Sequence, residues 1–241
     1  MANNVLLNNV SHQNLKVAAR FSADFGDDVG SVLAFPTEFV ELQKEYPIFF
    51  RRNPEGEKYY ASVLLGLKQN ENLFLNPGFG SGWAANCIPA VVAKGPFLIG
   101  LQAKDSAESE TPLIHIDLDH AKVGHEDGVS LFLEHGGNSP YLEHIASVLK
   151  LIHQGVAMQD MMFSVFEQMD LIQPVNIDID LNNGERQRLL GNYTIDEDKL
   201  AALGGDDLKK LNMLGFLQLA YAVVASMTNV RRLIEIKNKK G

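Results

Sequence analysis

The 241-residue sequence is 46% apolar and 21% charged, a globular balance on a chain long enough to bury a sizeable core without a disulfide or a metal. Its formal net charge of −9 excludes a broad nucleic-acid or anionic-membrane footprint, which needs clustered lysine and arginine. A single cysteine, Cys87, excludes an internal disulfide and fits a reducing compartment.

The first nine residues, Met-Ala-Asn-Asn-Val-Leu-Leu-Asn-Asn, hold no positive stretch and no long apolar run, so no signal peptide is expected. A cytoplasmic location follows, and surface export would need a leaderless route. Leu33–Phe35 reads as a short strand, and Pro36 opens a short helix that Pro47 stops after Tyr46. Ile48–Arg52 and Tyr59–Leu67 read as strands around the turn residues Asn53, Pro54, Glu55 and Gly56. Phe97–Leu101 and Leu113–Asp119 continue the strand content, with a polar exposed loop expected over Lys104–Thr111.

The period changes in the second half. Ser139 and Pro140 form a helix start, and Leu142, Ile145, Leu149, Ile152 and Val156 then share one face of a helix running to Met169. Val175–Leu181 and Gln187–Ile195 alternate around Asn183-Gly184, the pattern of a hairpin. Gly204-Gly205 breaks the chain, Asp206 is placed to cap, and a last helical region reaches Ile236. Within it, Met213–Val230 is interrupted by Gly215, Gln218, Ser226, Thr228 and Asn229, so it reads as a buried helix and not as a membrane span. Arg231, Arg232, Lys237, Lys239 and Lys240 complement the dipole at its end.

These elements predict an α+β fold: a mixed or antiparallel sheet of short strands, a long central helix and a C-terminal helical region. No repeat and no Pro- or Ser-rich linker divides the chain, so one domain is expected over 1–241, with a strand-rich 1–138 and a helix-rich 139–241 as possible subdomains.

Several segments imitate active sites. His115-Ile-Asp117-Leu-Asp119-His120 carries the His-x-Asp pair of facial-triad iron oxygenases. Strand alternation puts His115, Asp117 and Asp119 on one face, but Asn176, Asp178 and Asp180 alternate in the same way, so a solvated face explains both. Of the histidines able to complete a triad, His120, His125, His135, His144 and His153, none has diagnostic spacing. His144 and His153 fall about 900° apart around a helix, on opposite faces.

Asp178-x-Asp180-x-Asn182-Asn183-Gly184 departs from a calcium loop, with glycine seventh and Leu189 twelfth. Gly80-Ser81-Gly82-Trp83-Ala84-Ala85 matches a dinucleotide fingerprint, yet Pro89 and Gly95-Pro96 leave little room for the helix such a site requires. No nucleophile elbow surrounds Ser81, and Cys87 sits among small apolar residues as an inert thiol. Trp83 is a core ring or, alternatively, a contact residue for a ligand.

Phrases in order along the chain resemble the SapC family: Glu45-Tyr46-Pro47-Ile48, Leu64-Leu65-Gly66-Leu67, Glu71-Asn72-Leu73-Phe74, Trp83 with Ile88-Pro89-Ala90, and Pro96-Phe97. Ile116-Asp117, Leu131-Phe132, Gly191-Asn192-Tyr193-Thr194-Ile195-Asp196 and Gly215-Phe216-Leu217 follow, with Tyr221-Ala222, Ser226 and Asn229. The resemblance implies a bacterial protein of a family named for a surface layer, whose genes neighbour halogenase-like, cupin-like and TonB-dependent receptor genes. It brings no catalytic residues to carry over.

The expectation is a non-enzymatic accessory protein that binds a peptide or protein partner, for which the resemblance suggests a halogenase-like or receptor protein encoded nearby. No cofactor, nucleic acid or membrane span is expected, and a homo-oligomer is allowed. One alternative is an enzyme using iron or another divalent cation, with metal candidates His115, Asp117, Asp119, Asp178 and Asp180. Another is a self-assembling surface-layer component.

Overall fold

A computed structural model describes residues 3–102 and 111–240. The loop expected over Lys104–Thr111 lies outside them, apart from Thr111, which opens a strand. In chain order the chain forms β1 (Asn4–Leu6), β2 (Lys16–Val17), β3 (Ser31–Ala34), α1 (Phe39–Leu42), β4 (Ile48–Arg52) and β5 (Tyr59–Leu64). Next come α2 (Ala90–Ala93), β6 (Phe97–Gln102), β7 (Thr111–Asp117), β8 (Val129–Ser130) and α3 (Pro140–Gln168). The remainder is β9 (Ile172–Asp180), β10 (Arg186–Ile195), α4 (Glu197–Ala201), α5 (Gly205–Met213), α6 (Phe216–Ser226) and α7 (Asn229–Lys240).

The fold is α+β, and every strand pairing among the described residues is antiparallel. It divides into two compact units, each assembled from separated stretches of chain. Unit 1 takes Met1–Asp27, Leu75–Trp83 and Ala90–His153; unit 2 takes Asp28–Phe74, Ala84–Pro89 and Gln154–Gly241.

Unit 1 holds the sheets β1-β7-β6 and β2-β8. Ile116 and Phe97 of the larger sheet meet Leu142, Ile145 and Leu149 on the first turns of α3, with Val17 and Leu131 closing the cluster. A charged pair lies inside this unit. Lys122 Nζ contacts the Asp27 carboxylate at 3.0 Å, and the two side chains are only 3% and 10% exposed. Phe21 shields the ammonium, its ring centre 4.1 Å from Nζ, and the Ser22 backbone N–H donates to the same carboxylate. Burial lowers the affinity of Lys122 for its proton, and Asp27 works in the opposite direction.

Unit 2 is built on the sheet β3-β5-β4-β10-β9. Alternation gives β4 two faces. Phe50 and Arg52 point to one face, where Phe50 meets Phe163 and Phe166 of α3, and Arg52 lies over Tyr59 and Tyr193. Phe49 and Arg51 point to the other. The expected apolar stripe of α3 holds through Leu142, Ile145 and Leu149, but Val156 is 53% exposed. From Gly155 onward the helix buries Gly155, Met162, Phe163, Val165 and Phe166 instead. Gly155 is there because nothing larger fits: a Cβ would lie 2.5 Å from Phe35 Cβ and 2.7 Å from Thr37 Oγ1.

The C-terminal region is not one helix. Gly215 at φ +76° separates α5 from α6, and a turn at Met227–Thr228 separates α6 from α7. Gly204, not Asp206, stands at the N-cap of α5, with no side-chain cap; Asp206 and Asp207 lie in its first turn, where acids favour the helix dipole. α6 buries Phe216, Leu219, Ala220 and Val223. No single helix among the described residues is long and apolar enough to cross a membrane.

Two stability outcomes follow. Gly155→Ala should lower the urea midpoint, because overpacking of about 1–3 kcal/mol exceeds the roughly 1 kcal/mol that alanine gains over glycine in a helix. An unchanged midpoint would mean that Phe35 moves aside. Lys122→Ala leaves a buried carboxylate without its cation and should cost about 3–5 kcal/mol. The Asp27→Leu/Lys122→Met double variant should recover most of that loss; if it recovers none, the pair is not its origin.

Candidate functional site

The metal candidates are engaged separately. On β7 the His115 imidazole covers Gly100 of β6, where a Cβ would come within 2.4 Å of the ring. Asp117 accepts hydrogen bonds from the backbone N–H groups of Asn3 and Asp119 at 2.9 and 3.1 Å. His115 and Asp117 are each partly buried, and Asp119, just past the end of β7, is exposed. In unit 2, Asp178 pairs with Arg188 at 2.5 Å and Asp180 with Arg186 at 3.0 Å across the β9–β10 hairpin. Its turn is closed by Gly184 and by the Asn183 side chain, which accepts from the Glu185 backbone N–H. Among the described residues no three His, Cys, Asp or Glu side chains converge as a metal site.

Trp83 is 1% exposed and packs edge-on to Phe21, so its ring belongs to the core of unit 1 and is not a contact surface. Residues 76–89 form turns and bends with no helix opening at the glycine loop, as a dinucleotide site would need. Burial pushes the Cys87 thiol up to about 11, and the carboxylates of Glu45, Glu41 and Glu38 add to the effect. A thiolate nucleophile is disfavoured there.

A candidate recess forms in unit 2, from residues without motif spacing. β-register places Ser31, Leu64, Arg51 and Leu189 on the sheet face opposite Phe50. The segment after β5 returns over this face, held by Leu65 and Gly66 backbone N–H groups donating to Gly30 O and by Gly30 N–H donating to Gln69 O. Between segment and strands lies a cleft of about 510 Å³, lined by Val29, Arg51, Leu64, Leu67, Lys68 and Leu189 among others. That volume falls within the roughly 300–1,000 Å³ of ligand pockets.

Glu71 anchors the returning segment. It accepts from the Leu67 backbone N–H and meets Lys237 of α7 at 2.5 Å. Burial works against its charge, but Lys237 and Leu67 together hold the carboxylate below its usual range.

The chemistry of the cleft depends on a bulge. Register shifts between Leu189 and Asn192, where Gly191 takes φ +73°. The extra residue turns Asn192 onto the same face as Leu189, beside Arg51. There Asn192, 2% exposed, accepts a hydrogen bond from Arg51 Nε at 3.1 Å. Ser62 Oγ, Gln187 Oε1, Asn192 Nδ2 and Thr194 Oγ1 are buried without a hydrogen-bond partner among the described residues, and register puts all four residues on this face. Arg51 and Asn192 escaped the sequence reading, although a glycine inside a strand pattern is the recognised signal of a bulge.

Fold and cleft together define an α+β protein of antiparallel sheets, with a polar recess on one sheet face. The chain belongs to the SapC family, whose model matches residues 7–233. Comparison with curated proteins and with solved structures gives no match.

The raised Cys87 thiol can be measured directly. Its alkylation rate by iodoacetamide should stay low near neutral pH and keep climbing through about pH 10, well past the ordinary thiol value of about 8.5. A plateau below about pH 9 would show a thiolate that this environment does not favour.

Proposed function

We propose that this SapC-family chain is a non-enzymatic binding protein that holds a peptide segment of a protein partner in the unit 2 cleft. The observation that carries the reading is Arg51. It is a half-buried guanidinium lining a recess of ligand size, with no acidic partner among the described residues and its Nε fixed by a buried asparagine. A guanidinium held away from bulk water without a counter-ion is unfavourable unless a ligand supplies one. Leu64, Leu67, Leu189 and Val29 offer apolar contacts beside it, the mix of apolar wall and few polar anchors that ligand recesses use. Family membership supports a partner connected with the bacterial cell surface.

Selection of displayed peptides on the full chain tests this reading. Peptides enriched on the wild type should lose binding to Arg51→Ala and to Leu189→Glu, while both variants keep the wild-type circular dichroism spectrum. Enriched peptides indifferent to both substitutions would place binding elsewhere and end the assignment to this cleft.

A further inference from the structure

Donors and acceptors around Arg51 are unequal in number. Nε donates to Asn192 Oδ1, and neither terminal guanidinium nitrogen has a hydrogen-bond or ion-pair partner among the described residues. Arginine offers only donors, so the oxygen of Asn192 must be the atom that faces it. The Asn192 Nδ2 group is therefore left buried and unpaired, which costs about 1–3 kcal/mol. Asparagine at this position does what neither leucine nor aspartate would: it orients the guanidinium without neutralising it. The other cation of the lining, Lys68, is already matched by Glu185 at 3.0 Å. Among the described residues one positive charge in the cleft is uncompensated, and it sits on a planar fork.

Resting on the binding function proposed above, we infer that the group seated against Arg51 is a carboxylate, from a peptide C-terminus or from an aspartate or glutamate side chain. A carboxylate matches the fork with two parallel hydrogen bonds, and its single charge balances the single free cation. A dianionic phosphate would leave excess negative charge near Glu185. Asn192 is a positioning residue: it holds Arg51 and does not itself reach the ligand.

Nuclear magnetic resonance of the full isotope-labelled chain tests this with defined probes. These are N-acetyl-triglycine as free acid and as amide, N-acetyl-Gly-Asp-Gly-amide, its asparagine counterpart, and inorganic phosphate. A carboxylate probe should move the Arg51 Nε–H resonance saturably, and the amide and asparagine probes should not. Whether the terminal acid or the aspartate peptide is the tighter binder identifies the source of the carboxylate. Arg51→Lys keeps the charge but loses the fork and should weaken binding about tenfold.

Asn192→Asp is the decisive variant. It preserves shape and the bond to Nε, yet supplies the missing charge internally. Affinity for the carboxylate probe should fall at least about tenfold, with the melting temperature unchanged or raised, an outcome that a purely structural asparagine would not give. Equal response to acid and amide, tighter binding of phosphate, full affinity in Asn192→Asp, or no movement of the Arg51 resonance with any probe would each overturn the inference. If selected peptides bind through Arg51 equally well once their C-terminus is amidated and their acidic side chains are replaced by amides, the carboxylate assignment falls and the binding function stands.

Discussion

Unit 2 depends on the seating of Phe50. Its ring is edge-on to Phe163 at 4.9 Å and stacked against Phe166 at 6.3 Å, and it is fully buried. Each such ring contributes roughly 1.5–3 kcal/mol through burial alone. Because side chains alternate along a strand, fixing Phe50 toward α3 fixes Arg51 in the opposite direction. The two neighbouring arginines are thereby given separate fates. Arg52 lies on the aromatic side over Tyr59 and Tyr193, and Arg51 enters the cleft. The recess is a consequence of how the opposite face is packed.

The charged groups of the two units show how position decides what a charge does. Lys122 and Asp27 are buried together in unit 1 and satisfy each other. Arg188 with Asp178 and Arg186 with Asp180 are exposed, so water screens them and they add little to stability. Arg51 belongs to neither kind. It is partly withdrawn from water, hydrogen-bonded through one nitrogen and without a counter-charge among the described residues, on a sheet face where four buried polar atoms find no partner among those residues. Incomplete polar satisfaction on one sheet face is a more specific mark of a site than any single residue there.

Much of the architecture was legible in the sequence because it follows local rules. The Asn183-Gly184 turn and its flanking alternation define the β9–β10 hairpin, Ser139-Pro140 opens α3, and Pro36 and Pro47 bound the segment around α1. Local rules also account for where the reading ended. Val156 follows the helical period but is exposed, because its surroundings and not its spacing decide burial. The three C-terminal helices read as one region, since a single glycine in a left-handed conformation leaves little trace in hydrophobic periodicity. The cleft was hidden for a stronger reason. Ser31, Arg51, Leu64 and Leu189 come from four strands, and only register and the Gly191 bulge bring Asn192 to them. His115 and Asp117 stand out by their spacing, a property that the residues lining the cleft do not share.

α7 contributes no side chain to the lining of the recess, yet it governs one of its walls. The segment 66–71 has no regular secondary structure, and Lys237 and Lys240 splint it from outside, one through Glu71 and the other through the Leu73 carbonyl. Asn238 of the same helix accepts from the Asn182 backbone N–H at the hairpin turn. One short helix thus braces both the returning segment and the hairpin that carries Leu189 and Asn192. The spacing between that segment and the hairpin is therefore fixed by a helix that does not itself line the recess.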